Sequence, residues 1–314
     1  METTLIYNPQ AGSTSKLTAD EILEALRQAG YDATYAPTST EEELDQVLAN
    51  AKELVVVAGG DGSIRAVAIR LLNRNIRIVP LPMGTANNIA RMLALSAKPL
   101  EIIAGLADPM ERDMDIGRVV TPEGVEYFLE AMGIGMFADV MEKYKPEDGK
   151  SIPRGIETIL STLNEYQPKF FHINVDGEDL SDSYLMCEVM NTPTLSFHVT
   201  LAPDAKPDDG LFDLVLIHAN QRESYLNFMK GILTGTLESL PDVSIHRGRS
   251  LEIAWRGFPL QLDGTVLTKL NWEEDDDQSP AMEEPNLLDV SKPYLQVELV
   301  HKAIHFLVPR TTTT

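Results

Sequence analysis

Residues Val55 to Ala58 form an apolar, β-branched run that feeds directly into Gly59-Gly60-Asp61-Gly62-Ser63. Such a run reads as a buried parallel strand. The glycines beyond it leave a loop with little side chain in the way. Glycine permits φ > 0 and lets backbone N–H groups come close to a phosphate. An aspartate among them repels phosphate unless a cation lies between, so the chemistry expected here is the binding of a metal–nucleotide complex. Strand-to-turn glycines are common and a short motif alone proves little, so its company decides. Ile78-Val79-Pro80-Leu81-Pro82-Met83-Gly84-Thr85-Ala86-Asn87-Asn88 is a second strand–glycine turn–helix unit, and Leu5-Ile6-Tyr7-Asn8-Pro9-Gln10-Ala11-Gly12-Ser13 is a third. Each puts Asn, Thr, Ser or Gly just past a strand, where open α/β sheets bind ligands.

The elements that must position these loops alternate. Strands are expected at Leu5–Asn8, Tyr31–Ala36, Leu54–Ala58 and Ile76–Pro80, with helices after Thr18 and Thr40 and at 64–72 and 85–93. Thr18-Ala19-Asp20-Glu21 and Thr40-Glu41-Glu42-Glu43 both have capping-box spacing. Strand–helix alternation implies a parallel sheet covered on both faces. The texture changes after Arg112. A hairpin is expected around Pro122-Glu123-Gly124, helices near 136–144, 154–163 and 221–233, and otherwise many short strands, which suggests a β-sandwich. The fold class is therefore α/β plus β, an N-terminal parallel-sheet nucleotide-binding domain over 1–117 followed by a β-sandwich domain over 118–300.

In order along the chain, Asn-Pro-x-x-Gly, Gly-Gly-Asp-Gly-Ser and Pro-x-Gly-Thr-x-Asn resemble the diacylglycerol kinase catalytic-domain superfamily. The nearest branch is the soluble bacterial lipid kinases, related to sphingosine and ceramide kinases and more distantly to NAD kinases. Arg112-Asp113-Met114-Asp115-Ile116-Gly117, Pro207-Asp208-Asp209-Gly210-Leu211 and Leu262-Asp263-Gly264 continue the likeness. The resemblance implies ATP and Mg2+ as cofactors and a lipid hydroxyl, such as that of diacylglycerol, as acceptor. It implies nucleotide contacts at Asn8, Gly12, Thr38, Gly59, Gly60, Asp61, Gly62, Ser63, Gly84, Thr85 and Asn87, with Asp61 facing the catalytic magnesium. It implies a second magnesium at Asp209 and the Leu211 carbonyl, with Asp208 and Asp115 near it. It also implies that 301–309 returns to the first domain. Asp208-Asp209-Gly210 reads equally well as an acidic turn, and Asp115 as a turn aspartate.

The chain departs from the family where a base is expected. The family's Asp-Gly-Glu is Asp263-Gly264-Thr265 here, and Arg65-Ala66 stands where Asn-Glu is frequent. Threonine cannot take a proton at neutral pH, so either Asp263 serves as base, or the enzyme is slow, or nucleotide binding survives without catalysis in a regulatory protein. Loss of a general base costs about 10²–10⁴ in rate. A NAD kinase, which shares Gly-Gly-Asp-Gly, is the further alternative.

Composition narrows the class. At 314 residues and net charge −22 the chain is long enough for two domains and too acidic for a nucleic-acid partner or a broad grip on an anionic membrane. No run approaches the roughly 20 apolar residues that span a bilayer, and the amino end lacks the pattern of a signal peptide. Cys187 is the single cysteine, so no intrachain disulfide forms. These features point to a cytoplasmic protein that meets a lipid substrate by transient peripheral contact with the membrane; a homodimer stays open. Glu273-Glu274-Asp275-Asp276-Asp277 with Glu283-Glu284 reads as a solvated loop. The six histidines form no metal set.

Overall fold

Leu54, Val55, Val56, Val57 and Ala58 are wholly buried, as a strand covered on both faces must be. In this computed structural model the described residues are 1–8, 17–96, 98–144, 166–195, 199–218, 231, 240–254, 258–267 and 294–310. The elements in chain order are β1 (Glu2–Tyr7), α1 (Ala19–Gln28), β2 (Asp32–Tyr35), α2 (Glu41–Asn50), β3 (Leu54–Gly59), α3 (Asp61–Arg70), β4 (Arg77–Pro82), α4 (Asn88–Met92), α5 (Pro99–Gly105) and β5 (Pro109–Thr121). There follow β6 (Gly124–Phe128), β7 (Ala131–Gly135), α6 (Met136–Tyr144), β8 (Lys169–Phe171), β9 (Ile173–Val175), β10 (Glu178–Asp179), β11 (Asp182–Met190), β12 (Thr194–Leu195) and β13 (Val199–Thr200). Last come β14 (Phe212–His218), β15 (Val243–Gly248), β16 (Ser250–Ala254), β17 (Leu260–Leu262), β18 (Thr265–Leu267) and β19 (Tyr294–Pro309).

The chain divides into two compact units. The first is Met1–Ile116 with Lys206–Gly210 and Val300–Thr314; the second is Gly117–Ala205 with Leu211–Leu299. Lys206–Gly210, expected from sequence in the second domain, therefore groups with the first.

In the first unit the strands run β2–β1–β3–β4–β19, every pair parallel. The chain moves from β1 to one side and then crosses to β3 on the other. The carboxyl ends of β1 and β3 thus flank the point where strand order reverses, the place where open sheets bind ligands. Thr18 caps α1 with a full capping box: its Oγ1 accepts from Glu21 N (3.3 Å) and its N donates to Glu21 Oε2 (2.8 Å). At α2 only half the box forms. Thr40 Oγ1 accepts from Glu43 N, but the Glu43 carboxylate reaches back to Ser39 N.

Two helices differ from expectation. Helix α3 begins at Asp61, inside the glycine motif, rather than at Ile64. Helix α4 is only Asn88–Met92, because Asn87 adopts a left-handed conformation (φ 52°) and holds the preceding residues in a turn. Helices expected at 154–163 and 221–233, and the acidic 273–284 stretch, lie outside the described residues.

The second unit is a β-sandwich. One sheet runs β15–β14–β11–β7–β17–β18, and β9, β16 and the first half of β19 lie in the other. One core lies between the inner faces: Met132, Ile134, Cys187, Val189, Leu214 and Leu260 meet Ile173, Leu251, Ile253, Leu295 and Val297. On the opposite face of the first sheet a second core gathers Ala131, Met186, Met190, Val215 and Ile217 with Met136, Phe137, Val140 and Met141 of α6. Burying each such side chain contributes about 1.5–3 kcal/mol.

Candidate nucleotide site and the Asp-Gly turns

Asn8 at the end of β1 comes together with the loops after β3 and β4 in the first unit. Asn8 Nδ2 donates to Ser63 Oγ (3.3 Å), which joins the first two. Met83 N donates to Gly59 O (2.9 Å), which joins the second and third. Gly60 and Gly84 meet backbone to backbone: a Cβ on Gly84 would lie 2.6 Å from Gly60 Cα, and one on Gly60 would lie 3.2 Å from Gly84 Cα. A Cβ on Gly59 would lie 2.6 Å from Ser63 Oγ, whereas one on Gly62 would meet nothing within 4 Å. Gly59, Gly60, Gly62 and Gly84 are absent from the residues with positive φ. The expectation of φ > 0 at these glycines is corrected: clearance between loops explains Gly60 and Gly84, and the approach of Ser63 within the same loop explains Gly59.

Asp61, Gly62 and Ser63 form the first turn of α3, with Gly60 as an N-cap that offers no side chain. The first N–H groups of a helix have no partner within it and carry the positive end of its dipole. Ser63 N and Ile64 N donate to Gly60 O (3.0 and 3.1 Å), and the glycine cap puts no side chain over the N–H groups of Asp61 and Gly62, where an anion can approach. Asp61 Oδ1 accepts from Ile89 N at the start of α4 (3.1 Å), and Asp61 is the one acid on the described loops after β3 and β4. The Asn87 side chain is occupied within its own turn: Oδ1 accepts from Gly84 N (2.8 Å) and Nδ2 donates to Gly84 O (2.9 Å). It shapes the loop. Thr85 is exposed and Thr38 half-buried beyond β2. Gly12 lies outside the described residues.

Asp115 is fully buried. Its Oδ2 accepts from Gly210 N (2.8 Å), its Oδ1 from Lys302 N (2.7 Å), and His301 Nδ1 lies 2.8 Å from Oδ1. These contacts tie three segments of the first unit together. Among the described residues no three His, Cys, Asp or Glu side chains converge as a metal site. Asp208 is exposed, Asp209 and Leu211 half-buried, and Gly210 turns with φ 78°. Asp208 and Asp209 fall in the first unit and Leu211 in the second.

In the second unit Asp263 and Gly264 both have positive φ, 50° and 78°, and Leu262 pairs with Thr265. This is the two-residue Asp-Gly hairpin turn. The Asp263 carboxylate accepts from Leu129 N (2.9 Å), Glu130 N (2.7 Å) and Ala131 N (3.1 Å). A carboxylate so engaged anchors the entry to β7. Thr265 is exposed.

Sequence reasoning passed over Glu188 and Gln261, both fully buried on the α6 side of the first sheet. The signal was present: a glutamate inside Tyr184-Leu185-Met186-Cys187-Glu188-Val189-Met190 and a glutamine between two leucines. Gln261 Nε2 donates to Glu188 Oε2 (2.8 Å). Burial pushes the Glu188 carboxyl up to about 8, against the smaller opposing effect of the Gln261 hydrogen bond.

The fold and loops define a two-unit protein with a nucleotide-type α/β sheet and a β-sandwich. The diacylglycerol kinase catalytic domain matches residues 2–119, and the YegS C-terminal NAD kinase beta sandwich-like domain matches 156–288. A protein described as "Probable lipid kinase YegS-like" from Pseudomonas fluorescens is 30% identical over 258 residues, covering 77% of this chain and 84% of its own. A diacylglycerol kinase from Bacillus subtilis is 27% identical over 234 residues, 68% of this chain and 72% of its own. A crystal structure of a Bacillus anthracis diacylglycerol kinase superposes with a TM-score of 0.68 at 17% identity, covering 100% of this chain and 98% of that one. The chain belongs to the family of lipid kinases that join a diacylglycerol kinase catalytic domain to a YegS-type β-sandwich.

Proposed function

We propose that the protein transfers the γ-phosphate of ATP to the free hydroxyl of diacylglycerol or a similar neutral lipid, which it meets by transient contact with the membrane surface. The observation that carries this reading is the meeting of Asn8 with the loops after β3 and β4 at the reversal point of the sheet, with Gly60 and Gly84 in backbone contact and the start of α3 uncapped by any side chain. Such a place holds polyphosphate through backbone N–H groups. Asn8 and Ser63 set the spacing of two loops, and Asn87 shapes the third. Asp61 is the residue there that fits a magnesium ion; bound with ATP, the ion would neutralise charge on the transferring phosphoryl group.

One observation favours a second reading, nucleotide binding without transfer. The family's glutamate is Thr265, and Asp263 is committed to three backbone donors. The deciding experiment is a γ-phosphate transfer screen against mixed lipids and NAD, with ATP turnover recorded alongside. Phosphate on a diacylglycerol is the expected outcome. Phosphate on NAD alone would defeat the lipid reading, and bound ATP with no product would favour the regulatory one. Thr265→Glu, which restores the family's acid, should then raise transfer by about 10² if a base is all that is missing.

A further inference from the structure

Glu188 sits on β11 directly opposite Gly133 of β7 on one side and Val215 of β14 on the other. Gln261 of β17 lies beyond Gly133 in the same row. The row faces α6. A Cβ on Gly133 would collide with the Glu188 carboxyl, so this glycine makes room for it.

The hydrogen-bond pattern determines where the proton on this carboxyl must lie. Gly264 N–H can only donate, and it donates to Gln261 Oε1 (2.9 Å). Gln261 therefore presents its NH₂ to Glu188 Oε2, which accepts. The carbonyl oxygen of a neutral carboxyl is its stronger acceptor, so the Gln261 bond at Oε2 favours the hydrogen on Oε1. Oε1 is buried and has no partner among the described residues. The result is an O–H donor with no acceptor among the described residues, on the face of β11 that it shares with Met186 and Met190, whose core also holds Met136 and Met141 of α6. Leaving such a donor unpaired costs about 1–3 kcal/mol. An acceptor that brought charge would pay far more to enter this core, so the matching group is an uncharged oxygen on an apolar body. Methionine walls adapt to such a ligand's shape.

We propose that Glu188, oriented by Gln261, is a hydrogen-bond donor that recognises an ester carbonyl or hydroxyl of a neutral acyl glycerolipid within the second unit. This rests on the lipid-kinase reading and assigns a recognising residue to its neutral lipid substrate. Few titratable groups lie nearby. Cys187 is on the opposite face. On this face β14 offers Asp213, opposite Met190 and 3.3 Å from Arg247 Nε. Helix α6 offers Asp139, 3.1 Å from Lys169 Nζ, and Tyr166 belongs to the same core. Strands β7, β17 and β18 offer none.

The test is infrared difference spectroscopy of the full chain with dioctanoylglycerol as probe. The protonated-carboxyl band of Glu188 is assigned as the one lost in Glu188→Gln at neutral pH. It should shift to lower frequency when dioctanoylglycerol is added and stay in place with ATP alone. In kinetics, Glu188→Leu should raise the lipid KM about tenfold with the ATP KM unmoved, the worth of one hydrogen bond. Glu188→Gln keeps a donor at that atom and should rescue the KM. Absence of the band at neutral pH, or a band unmoved by saturating lipid, as a trapped water alone would leave it, overturns the proposal whether or not Glu188→Leu folds. A shifted band in a protein that phosphorylates no lipid would defeat the kinase reading and leave this site standing. An unmoved band in an active lipid kinase would do the reverse.

Discussion

Of the Asp-Gly dipeptides in the chain, the one at 61–62 in the first unit and the one at 263–264 in the second do opposite things. Asp61-Gly62 opens a helix with ordinary backbone angles, one carboxylate oxygen bonded to Ile89 N, and room around Gly62. Asp263-Gly264 is a left-handed hairpin turn whose carboxylate is spent on three backbone donors. A reactive aspartate needs unspent oxygens at a place a ligand can reach; a structural one is recognised by how completely its oxygens are used. The two interiors differ in the same way. The first unit presents backbone N–H groups at loop ends, whereas the second buries side-chain polar groups under α6.

The largest effect is expected at Asp61. Asp61→Ala should abolish metal-dependent phosphoryl transfer, a loss of at least about 10³-fold, while circular dichroism and melting stay near wild type. Full turnover in the folded variant would erase the contrast between the two aspartates.

Glu188 should govern a pH dependence of stability. Its carboxyl titrates near 4.5 unfolded and about 8 folded. Between these values the folded protein holds a proton the unfolded chain has lost. The contribution is therefore fully present below the lower value and falls as pH rises to the upper one, by about 1.4 kcal/mol per pH unit. Denaturant melts from acid to mildly alkaline pH should show this slope in wild type and lose it in Glu188→Gln. Equal slopes would mean that the folded protein ionises Glu188 normally.

Asp263→Ala should cost about 2–4 kcal/mol, because three backbone donors lose a charged acceptor together. The observable is the chemical-denaturation midpoint of the second unit. A variant as stable as wild type that has lost only turnover would return Asp263 to a reactive role.

The glycines sharpen the comparison at smaller scale. Gly84→Ala drives a Cβ into Gly60 backbone and should destabilise the first unit by about 1–3 kcal/mol while weakening ATP binding in titration. Gly62→Ala meets open space in a helix and should raise stability by about 0.5–1 kcal/mol. Destabilisation by Gly62→Ala would show that the loop needs flexibility there after all.

The strand–glycine units at β3 and β4, the Thr18 cap and the alternation of strand and helix are local, so sequence patterning by itself determined them. Apolar period, cap chemistry and glycine placement act within a few residues of one another. The same was true of the buried run through β3 and the short strands of the second unit. Why each glycine is there was not local. Gly60 and Gly84 are 24 positions apart, and only the parallel pairing of β3 with β4 brings them into contact. Asp263 looked like a stand-in base from its neighbours along the chain. Its real partners, Leu129 to Ala131, are more than 130 residues away. Asp115 likewise became a tie only when Gly210 and Lys302 were folded against it. Glu188 and Gln261 are ordinary polar letters in two apolar strands until β7, with a glycine between them, places their side chains 2.8 Å apart. Residue type and spacing decide which local structures form and which atoms could react. How far a carboxylate's oxygens are already used depends on donors that arrive from distant strands, and tertiary structure alone decides that.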